Sequence, residues 1–344
     1  MKFPRLMMLL PLLLFGSAPV DARIDLYVGE APAESTDPAG RAPILEALDQ
    51  VLVRLTGRVG EDLVTGLGID ARAAQRLAVG RQFARKTVPQ AGGERSDQRI
   101  LRVDFDQAAL DDLLQQAGWP RWGAERPSML VWIVEDRGLG ADYVTERPLW
   151  QHAIDEAAFR YGMRLTRPIL DARDRLEVGP ADVRGGFTSL AEPAVSRYGA
   201  DGVIMLDLRR NASFWTGRWA WRIGDEEVAF ERSGADPTEV IGLGLARITE
   251  SLAGRFAVRS EPPRARRLVV SGIETNAHFA EVSDFLAQLT GIESVRIAAA
   301  SGSRLEFEIE VTSDRLRERI ELTGPLAFER LDLGSNVLYY RFRM

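Results

Sequence analysis

The chain has 344 residues, of which 45% are hydrophobic and 27% are charged, as expected for a globular protein long enough to form two or three cores. Its formal net charge of −6 disfavours nucleic acid or anionic lipid as the main partner, because such binding requires clustered positive charge. The chain contains no cysteine, which excludes disulfides, thiolate metal sites and cysteine nucleophiles.

The N-terminal segment, residues 1–22, has the organisation of a secretory signal peptide. Lys2 and Arg5 give it a positive start, an apolar run of about ten residues follows, and Val20 and Ala22 place small residues at its end. An uncleaved membrane anchor is the weaker alternative, because crossing a bilayer takes about 20 apolar residues. The sequence therefore predicts export, cleavage of the segment, and a periplasmic protein without a transmembrane segment.

The first predicted unit, residues 23–120, combines helical and alternating patterns and indicates a small α+β domain. Apolar residues recur at helical spacing until Gly57, a residue type that commonly ends helices. Two alternating segments on either side of a glycine-bearing loop favour an antiparallel pair of strands. The predicted elements are a strand at 24–29, helices at 44–55 and 69–79, strands at 81–88 and 98–106, and a helix at 108–117.

The central unit, residues 124–258, begins with the apolar run MLVWIVED, which is typical of a strand covered on both faces in a parallel sheet. A succession of the form β-α-β-α-β favours an open α/β sheet with right-handed crossovers. Two aromatic-bearing segments then predict antiparallel strands at the edge of this sheet. The predicted elements are strands at 129–136, 163–170 and 202–210, helices at 146–161, 180–198 and 237–256, and edge strands at 214–224 and 226–234.

A third unit, residues 265–344, follows the paired prolines at 262 and 263. Its strands and helices occur in the order β-α-β-β-α-β, which predicts a C-terminal ferredoxin-like module. The three arginines beside the prolines form a basic cluster, which we interpret as part of a solvated linker. They are Arg264, Arg266 and Arg267.

Five stretches of the chain carry a family resemblance. They are ALDQVLVRLTG (47–57), VDFDQAALDDLLQQAG (103–118), WGAERPSMLVWIVED (122–136), RLTRPILDARD (164–174) and RYGAD (197–201). Together they resemble the exported proteobacterial proteins grouped as domain of unknown function 2066, and the spacing WGxxRPxxLVW is the most specific part of the match.

This resemblance implies an exported protein without an established biochemical activity, so no catalytic residue is carried over from the family. At the level of fold, the first two units are similar to small α/β domains of periplasmic and outer-membrane assembly proteins. That similarity implies a binding or assembly role in the envelope, although a fold alone does not determine function.

Residues suited to catalysis or cofactor binding are few. A hydroxyl nucleophile needs a base, usually histidine, within hydrogen-bond reach. The only histidines, His152 and His278, lie in different predicted units, and each is interpreted as structural. His278 and Glu281 have the spacing of two metal ligands on one helix face, but two ligands do not complete a site. Gly242-x-Gly244 lacks the third glycine and the lysine of a phosphate-binding loop. We therefore predict no catalytic, cofactor or metal residue.

Paired carboxylates are the remaining route to hydrolysis. Asp171 and Asp174 follow a predicted strand at the end where open α/β sheets bind ligands. The same sequence, DARDR, equally describes a solvated loop in which the acids pair with the intervening arginines. The loop interpretation is favoured, and the acids are kept as the centre of an alternative hypothesis.

Aromatic residues are more suggestive of contact with a partner. Phe214, Trp215 and Trp219 occur on one predicted edge hairpin, and Trp122 lies at the junction of the first two units. Aromatic side chains are enriched at protein interfaces. The competing interpretation is that they form a domain seam and ordinary core.

The leading hypothesis is a non-enzymatic binding or assembly protein of the cell envelope, with other envelope proteins as its partners. The alternatives are a carboxylate-dependent cell-wall hydrolase and a small-molecule or lipid carrier. The carrier would require an apolar cavity in the central unit. No pattern in the sequence specifies an oligomeric state.

Overall fold

The computed structural model describes residues 25–34, 42–90, 94–136, 138, 140–145, 147–259, 263–313, 316–332, 334–335 and 337–343. The predicted signal peptide lies outside these residues. Within them the chain is an α+β protein with three sheets, which confirms the predicted fold class. None of the helices formed by these residues is long and apolar enough to span a membrane.

The N-terminal unit is an antiparallel three-stranded sheet with helices packed against it. Its strands are β1 (Val28–Pro32), β2 (Ala78–Pro89) and β3 (Arg95–Phe105), and its helices are α1 (Pro43–Thr56), α2 (Leu63–Gly66), α3 (Ala71–Leu77) and α4 (Gln107–Gln116). The strand order is β1-β3-β2, so β2 lies at one edge of this sheet. Helix α1 packs against β1 and β3.

Local sequence explains where these helices begin and end. Helix α1 starts with Pro43 and stops at Gly57, whose φ of 69° lies in the left-handed region. The helix predicted at 69–79 is confirmed as α3, which begins where the carboxylate of Asp70 caps it by accepting from the backbone of Ala73. The short helix α2 before it was not predicted, and Gly68, with a φ of 66°, separates the two helices.

The central unit contains a six-stranded sheet of mixed direction. Its strands are β4 (Ser128–Asp136), β5 (Ala141–Tyr143), β6 (Arg164–Thr166), β7 (Gly202–Arg210), β8 (Trp215–Ile223) and β9 (Glu226–Gly234), and its helices are α5 (Pro148–Tyr161), α6 (Ala172–Glu177), α7 (Pro180–Gly185), a 3-10 helix (Thr188–Ala191), α8 (Glu192–Arg197) and α9 (Pro237–Phe256). The order is β5-β4-β7-β8-β9, and β6 also pairs with β4. Strand β4 runs parallel to β6 and β7, as expected for crossover connections.

Strand β4 is covered on both faces, as its apolar run predicted. Leu130 and Trp132 belong to a core beneath α7 and its neighbours, which we call the short-helix layer (α6, α7, the 3-10 helix and α8). Met129 and Val131 point to the other face, in the core formed with α5 and α9. The alternation along β4 therefore separates two helical layers.

Three predictions for the central unit are corrected by the structure. Strand β8 is not at the edge, because it pairs with β7 on one side and β9 on the other. The helix predicted at 180–198 is broken into three short helices, since Gly186 ends α7 with a φ of 70°. The strand predicted at 163–170 is reduced to β6, because Pro168 cannot donate a ladder hydrogen bond. The loop predicted after it is replaced by α6.

The C-terminal module has the predicted ferredoxin-like arrangement with one strand added. Its strands are β10 (Arg264–Ser271), β11 (Ile292–Ser301), β12 (Arg304–Val311), β13 (Leu326–Asp332) and β14 (Val337–Phe342), and its helices are α10 (Asn276–Gln288) and α11 (Leu316–Thr323). The order β11-β12-β10-β14-β13 places the parallel pair β10 and β14 inside the sheet and β13, which was not predicted, at its edge. Arg264, Arg266 and Arg267 lie in β10, which corrects their assignment to a linker.

Two large cores and one smaller core organise the described residues. The largest contains Leu48 of α1 together with Trp221 of β8 and Leu245 of α9, so the N-terminal unit and one face of the central sheet share a continuous interior. The C-terminal module has an interior of its own, built around Phe307 and Tyr340. Packing therefore joins the first two predicted units more closely than the third.

Helix α9 offers a matched pair of glycines for testing this packing. A Cβ atom at Gly244 would lie 2.0 Å from the indole of Trp219, whereas a Cβ at Gly242 would meet nothing within 4 Å. We expect Gly244→Ala to lower the free energy of unfolding by about 1–3 kcal/mol through overpacking. Gly242→Ala should leave stability unchanged or raise it by up to about 1 kcal/mol. Urea denaturation of both variants measures the difference, and equal stabilities would contradict the contact.

Candidate functional site

The segment that connects the first two units, residues 119–127, forms hydrogen bonds with all three parts of the described chain, and we call it the junction segment. At its centre the guanidinium of Arg126 is fully buried and lies 4.0 Å from the ring centre of Trp122. All five N–H groups of Arg126 donate to main-chain carbonyl oxygens. The acceptors are the carbonyls of Gly123 (2.9 Å), Tyr161 (3.0 Å), Gly162 (3.2 Å), Arg54 (2.5 Å) and Trp122 (3.0 Å).

A second buried arginine continues this arrangement into the N-terminal sheet. Arg54 lies 4.5 Å from the ring centre of Phe159 on α5, and one of its terminal nitrogens donates to carbonyls near the start of β1. Those acceptors are the carbonyls of Asp25 (2.6 Å), Leu26 (3.3 Å) and Val28 (2.8 Å). Loss of water around the two guanidinium groups lowers the pKa of Arg54 to about 10 and that of Arg126 to about 9, and the charge of Arg54 adds to the second effect.

The junction segment also holds the C-terminal module. Glu125 accepts hydrogen bonds from the backbone N–H of Thr290 at 3.0 Å and from the guanidinium of Arg319 at 2.6 Å. Arg319 is itself buried and donates to the carbonyl of Phe256 at the end of α9. A Cβ on Gly123 would approach the hydroxyl oxygen of Thr290 to 1.7 Å, so this close approach requires glycine.

A third contact fastens the beginning of the segment. The backbone of Arg121 exchanges hydrogen bonds with Val258, and its side chain pairs with Asp111 at 2.8 Å. The hydroxyl of Tyr27 donates to Asp111 at 2.9 Å, and burial raises the pKa of Tyr27 to about 12. These groups are occupied by one another, so the junction segment has the chemistry of a structural joint. Trp122, Gly123 and Arg126 of the WGxxRP pattern all contribute to this joint.

The two histidines lie in different units, and His278 is held by neighbouring groups. His278 stacks on Phe342 with ring centres 4.5 Å apart, and its Nδ1 accepts from the backbone of Glu274 at 3.4 Å. His152 lies on α5 in the central unit. Within the described ranges no group of three potential metal ligands comes together. The hydroxyl of Thr275 accepts from the backbone N–H of His278 at 3.2 Å, so this contact is a cap of α10 and does not involve the imidazole.

The two candidate carboxylates have structural partners. Asp171 caps α6 by accepting from the backbone of Asp174 at 2.8 Å. Asp174 is fully buried, and its oxygens accept from the backbone of Leu170 at 2.8 Å, the hydroxyl of Tyr198 at 2.8 Å and the guanidinium of Arg197 at 2.5 Å. A carboxylate saturated in this way is shielded from a substrate, so the geometry favours a structural role for Asp174.

The predicted partner-binding aromatics divide into two groups. Trp219 and Trp122 are core residues, because Trp219 stacks on Phe230 beneath α9 and Trp122 lies under Arg126. Trp215 is half-buried and packs edge-on against Trp150, with ring centres 5.7 Å apart. Phe214 remains 45% exposed where the chain turns from β7 into β8. The structure therefore leaves Phe214, with the half-buried Trp215 beside it, as the accessible part of this set.

Exposed apolar side chains are concentrated elsewhere, on the short-helix layer. Of eleven large hydrophobic residues exposed in the described chain, four occur between residues 169 and 190. They are Ile169, Leu176, Phe187 and Leu190, and Leu176 is 86% exposed. Sequence analysis did not identify them. Ile169 lies in the strand predicted at 163–170, and Leu176 directly follows the predicted loop. Phe187 and Leu190 lie in the single helix predicted at 180–198. The signal was the sequence Gly185-Gly186, which breaks that helix.

One apolar cavity lies at the gap between β5 and β6 along the edge of β4. Its volume is about 210 Å³, and its lining includes Ile133, Trp150 and Leu170. Ligand sites commonly measure about 300–1,000 Å³. The cavity is therefore small for the carrier hypothesis. Leu170 adopts a φ of 57° at its rim, which is unusual for a residue with a Cβ atom.

Fold and site together define a three-sheet α+β protein built around an arginine-centred joint, with exposed apolar side chains on its central unit. A family model described as Domain of unknown function (DUF8605) matches residues 22–123, which include the N-terminal sheet and the start of the junction segment. The prediction that the chain carries a domain of unknown function is confirmed at this general level.

Other comparisons add little. No curated protein matches the chain. A solved structure to which the chain is similar, a ribosomal subunit interface protein from Coxiella burnetii, is 10% identical, and the alignment covers 37% of this chain and 96% of that chain with a TM-score of 0.21. A superposition of that quality carries no argument about fold or function.

Replacement of Arg126 tests the joint. Arg126→Lys retains the charge but offers fewer donors in a different geometry, so buried carbonyl oxygens lose their partners. We expect the free energy of unfolding to fall by about 3 kcal/mol or more. The control is Arg72→Lys on the exposed surface of α3, which should change stability by less than about 0.5 kcal/mol. Urea titrations that give the same midpoint for both variants would contradict the role of Arg126.

Proposed function

We propose that this chain is a non-enzymatic binding or assembly protein of the cell envelope, exported to the periplasm, and a relative of the proteobacterial proteins grouped as domain of unknown function 2066. The observation that carries this proposal is the set of exposed apolar side chains on the short-helix layer. Four of them fall within residues 169–190, and contiguous apolar exposure usually marks a site of contact with another protein.

The composition of the layer supports contact with a protein partner. Leu176 and Phe187 are 86% and 56% exposed, so each can bury a large area on association. Charged side chains flank them, including the pair Arg173 and Glu177 at 2.7 Å. Apolar centres with polar surroundings are typical of protein interfaces.

A rigid base under these side chains adds to the argument. Asp174, Arg197 and Tyr198 tie α6 to α8 through buried hydrogen bonds. The exposed residues are thus presented on a fixed surface, which reduces the entropy lost on binding. Phe214 and Trp215 form a second, smaller candidate contact at the end of β7.

The two alternative functions receive less support. A hydrolase that uses Asp171 and Asp174 would need both carboxylates to face a cleft, whereas one caps a helix and the other is saturated with donors. A small-molecule or lipid carrier would use the cavity beside β4, whose volume of about 210 Å³ is below the usual range.

The apolar surface is tested by replacing two of its exposed side chains, Leu176 and Phe187. We expect Leu176→Ser combined with Phe187→Ser to reduce crosslinks to envelope proteins in intact cells about tenfold or more, because buried anchors dominate binding energy. The matched control removes a leucine and a phenylalanine from exposed positions on other helices, Leu243→Ser with Phe279→Ser, and should retain the crosslinks. Unchanged crosslinks in the first variant, once circular dichroism shows that it is folded, would exclude this surface.

The cellular location of the protein is tested separately. Cell fractionation should find the protein in the periplasm, with residue 23 as its first residue by N-terminal sequencing. Leu9→Arg combined with Leu13→Arg should leave the uncleaved chain in the cytoplasm, because charge interrupts the apolar run, whereas Leu9→Ile with Leu13→Ile should be exported normally. A wild-type chain that keeps residues 1–22 in the cytosol would overturn the envelope proposal, whatever the outcome of the crosslinking.

A further inference from the structure

Strand β2 is a long edge strand with an unoccupied side. It has 12 residues and pairs with β3 throughout, while its other side pairs with no residue in the part of the chain that the structure describes. The unpaired backbone groups of such an edge can accept an additional strand.

One face of β2 is closed by the rest of the protein. Lys86 pairs with Glu30 of β1 at 3.2 Å and also with Glu156 of α5, and its ammonium group lies 5.8 Å from the ring centre of Phe159. Helix α5 therefore covers this face of the strand. The side chains of an added strand can meet side chains of β2 only on the opposite face.

The opposite face is basic and carries an exposed aromatic ring. Phe83 is 60% exposed, and the guanidinium of Arg99 on β3 lies 4.3 Å from its ring centre. Arg81 and Arg85 flank Phe83 on the same side of β2, because successive odd-numbered residues point to one face. We call these four side chains the Phe83 face.

The Phe83 face carries more positive than negative charge. Arg81 and Arg85 are exposed and form no ion pair with any residue that the structure describes. Asp97 shares this face opposite Thr87, and its carboxylate accepts from the Thr87 hydroxyl at 2.8 Å. Arg85 lies directly opposite Arg99 in the register of β2 and β3. Like charges in directly opposed positions are destabilising, and an anionic partner would relieve this repulsion.

The net charge of β2, β3 and the loop between them is positive, opposite in sign to that of the whole chain. Residues 78–105 contain six basic and three acidic residues, although the formal net charge of the protein is −6. A second copy of this chain is a poor occupant of the edge, because antiparallel pairing centred on Phe83 would place Arg81 of one copy opposite Arg85 of the other. The charge selects an acidic partner.

We propose that the free edge of β2 docks an extended acidic segment of another protein, which adds to the sheet as a fourth strand. Main-chain hydrogen bonds to β2 supply affinity, and alternate carboxylates of the added strand pair with Arg81, Arg85 and Arg99. Phe83 gives an apolar contact between these charges. This site lies on the N-terminal sheet and does not depend on the apolar surface of the short-helix layer.

The test uses fluorescence anisotropy with the purified protein and a labelled peptide of alternating glutamate and threonine, matched to the 12 residues of β2. A second peptide of the same length and charge repeats the unit Glu-Glu-Pro-Pro, which removes backbone donors on both sides of the strand and so prevents strand pairing in either register. The first peptide should bind at least about tenfold more tightly than the second, and its affinity should fall as salt is added.

Charge reversal supplies the matched variants. Arg81→Glu with Arg85→Glu should weaken binding of the first peptide about tenfold or more, whereas Arg72→Glu with Arg76→Glu on the neighbouring helix α3 should change it less than about twofold. Circular dichroism and urea midpoints check that both variants are folded. Phe83→Ser, which leaves every charge in place, should weaken binding to an intermediate degree.

Five results would overturn the proposal. The first four are no binding of the first peptide to the wild type, equal binding of the two peptides, equal effects of the two charge-reversal variants, and tighter binding of a single-stranded oligothymidylate of the same length. The fourth result would indicate a nucleic-acid site that binds phosphates and stacks bases. Dimerisation of the wild-type protein that Arg81→Glu with Arg85→Glu abolishes would show that β2 pairs with a second copy and would also overturn it.

Discussion

The five hydrogen bonds of Arg126 are the constraint on which the rest of the structure depends. A buried N–H group without an acceptor costs free energy, and each N–H group of Arg126 finds a carbonyl at the end of α1, at the end of α5 or in the junction segment itself. The two helices and the segment are thereby fixed at one point. Glu125, the residue before Arg126, fixes the C-terminal module through Arg319. One short stretch of sequence thus joins all three sheets.

Elements with strong periodicity could be predicted from the sequence, and elements whose pattern is ambiguous could not. The spacing of apolar residues in α1 and α9 gave nearly correct bounds, and the order of elements after residue 264 predicted the ferredoxin-like module. Strand β13 was missed because its sequence, LAFERLD, has no clear alternation. The aromatic residues of β8 were assigned to an edge because composition cannot reveal how many neighbours a strand has. That depends on β9 and α9, which cover Trp219 on both sides.

The candidate sites show the same division. The sequence suggested Asp174 as a reactive acid because it follows a strand, but its chemistry is decided by Tyr198 and Arg197, which lie far along the chain and meet it only in the fold. Average charge was also a poor guide to the surface. An acidic protein can carry a basic edge, since most of its carboxylates lie elsewhere, and only the register of β2 and β3 reveals that Arg85 and Arg99 oppose one another. The exposed residues of the short-helix layer became visible once Gly186 was seen to end α7.

The two joints of the junction segment differ in the chemistry of their acceptors. Arg126 is bound by main-chain carbonyls, whereas the joint to the C-terminal module uses the side chain of Glu125. Every residue type supplies a main-chain carbonyl, so replacing the residues that accept from Arg126 leaves those acceptors in place. Replacing Glu125 removes the acceptor of both Thr290 and Arg319 at once.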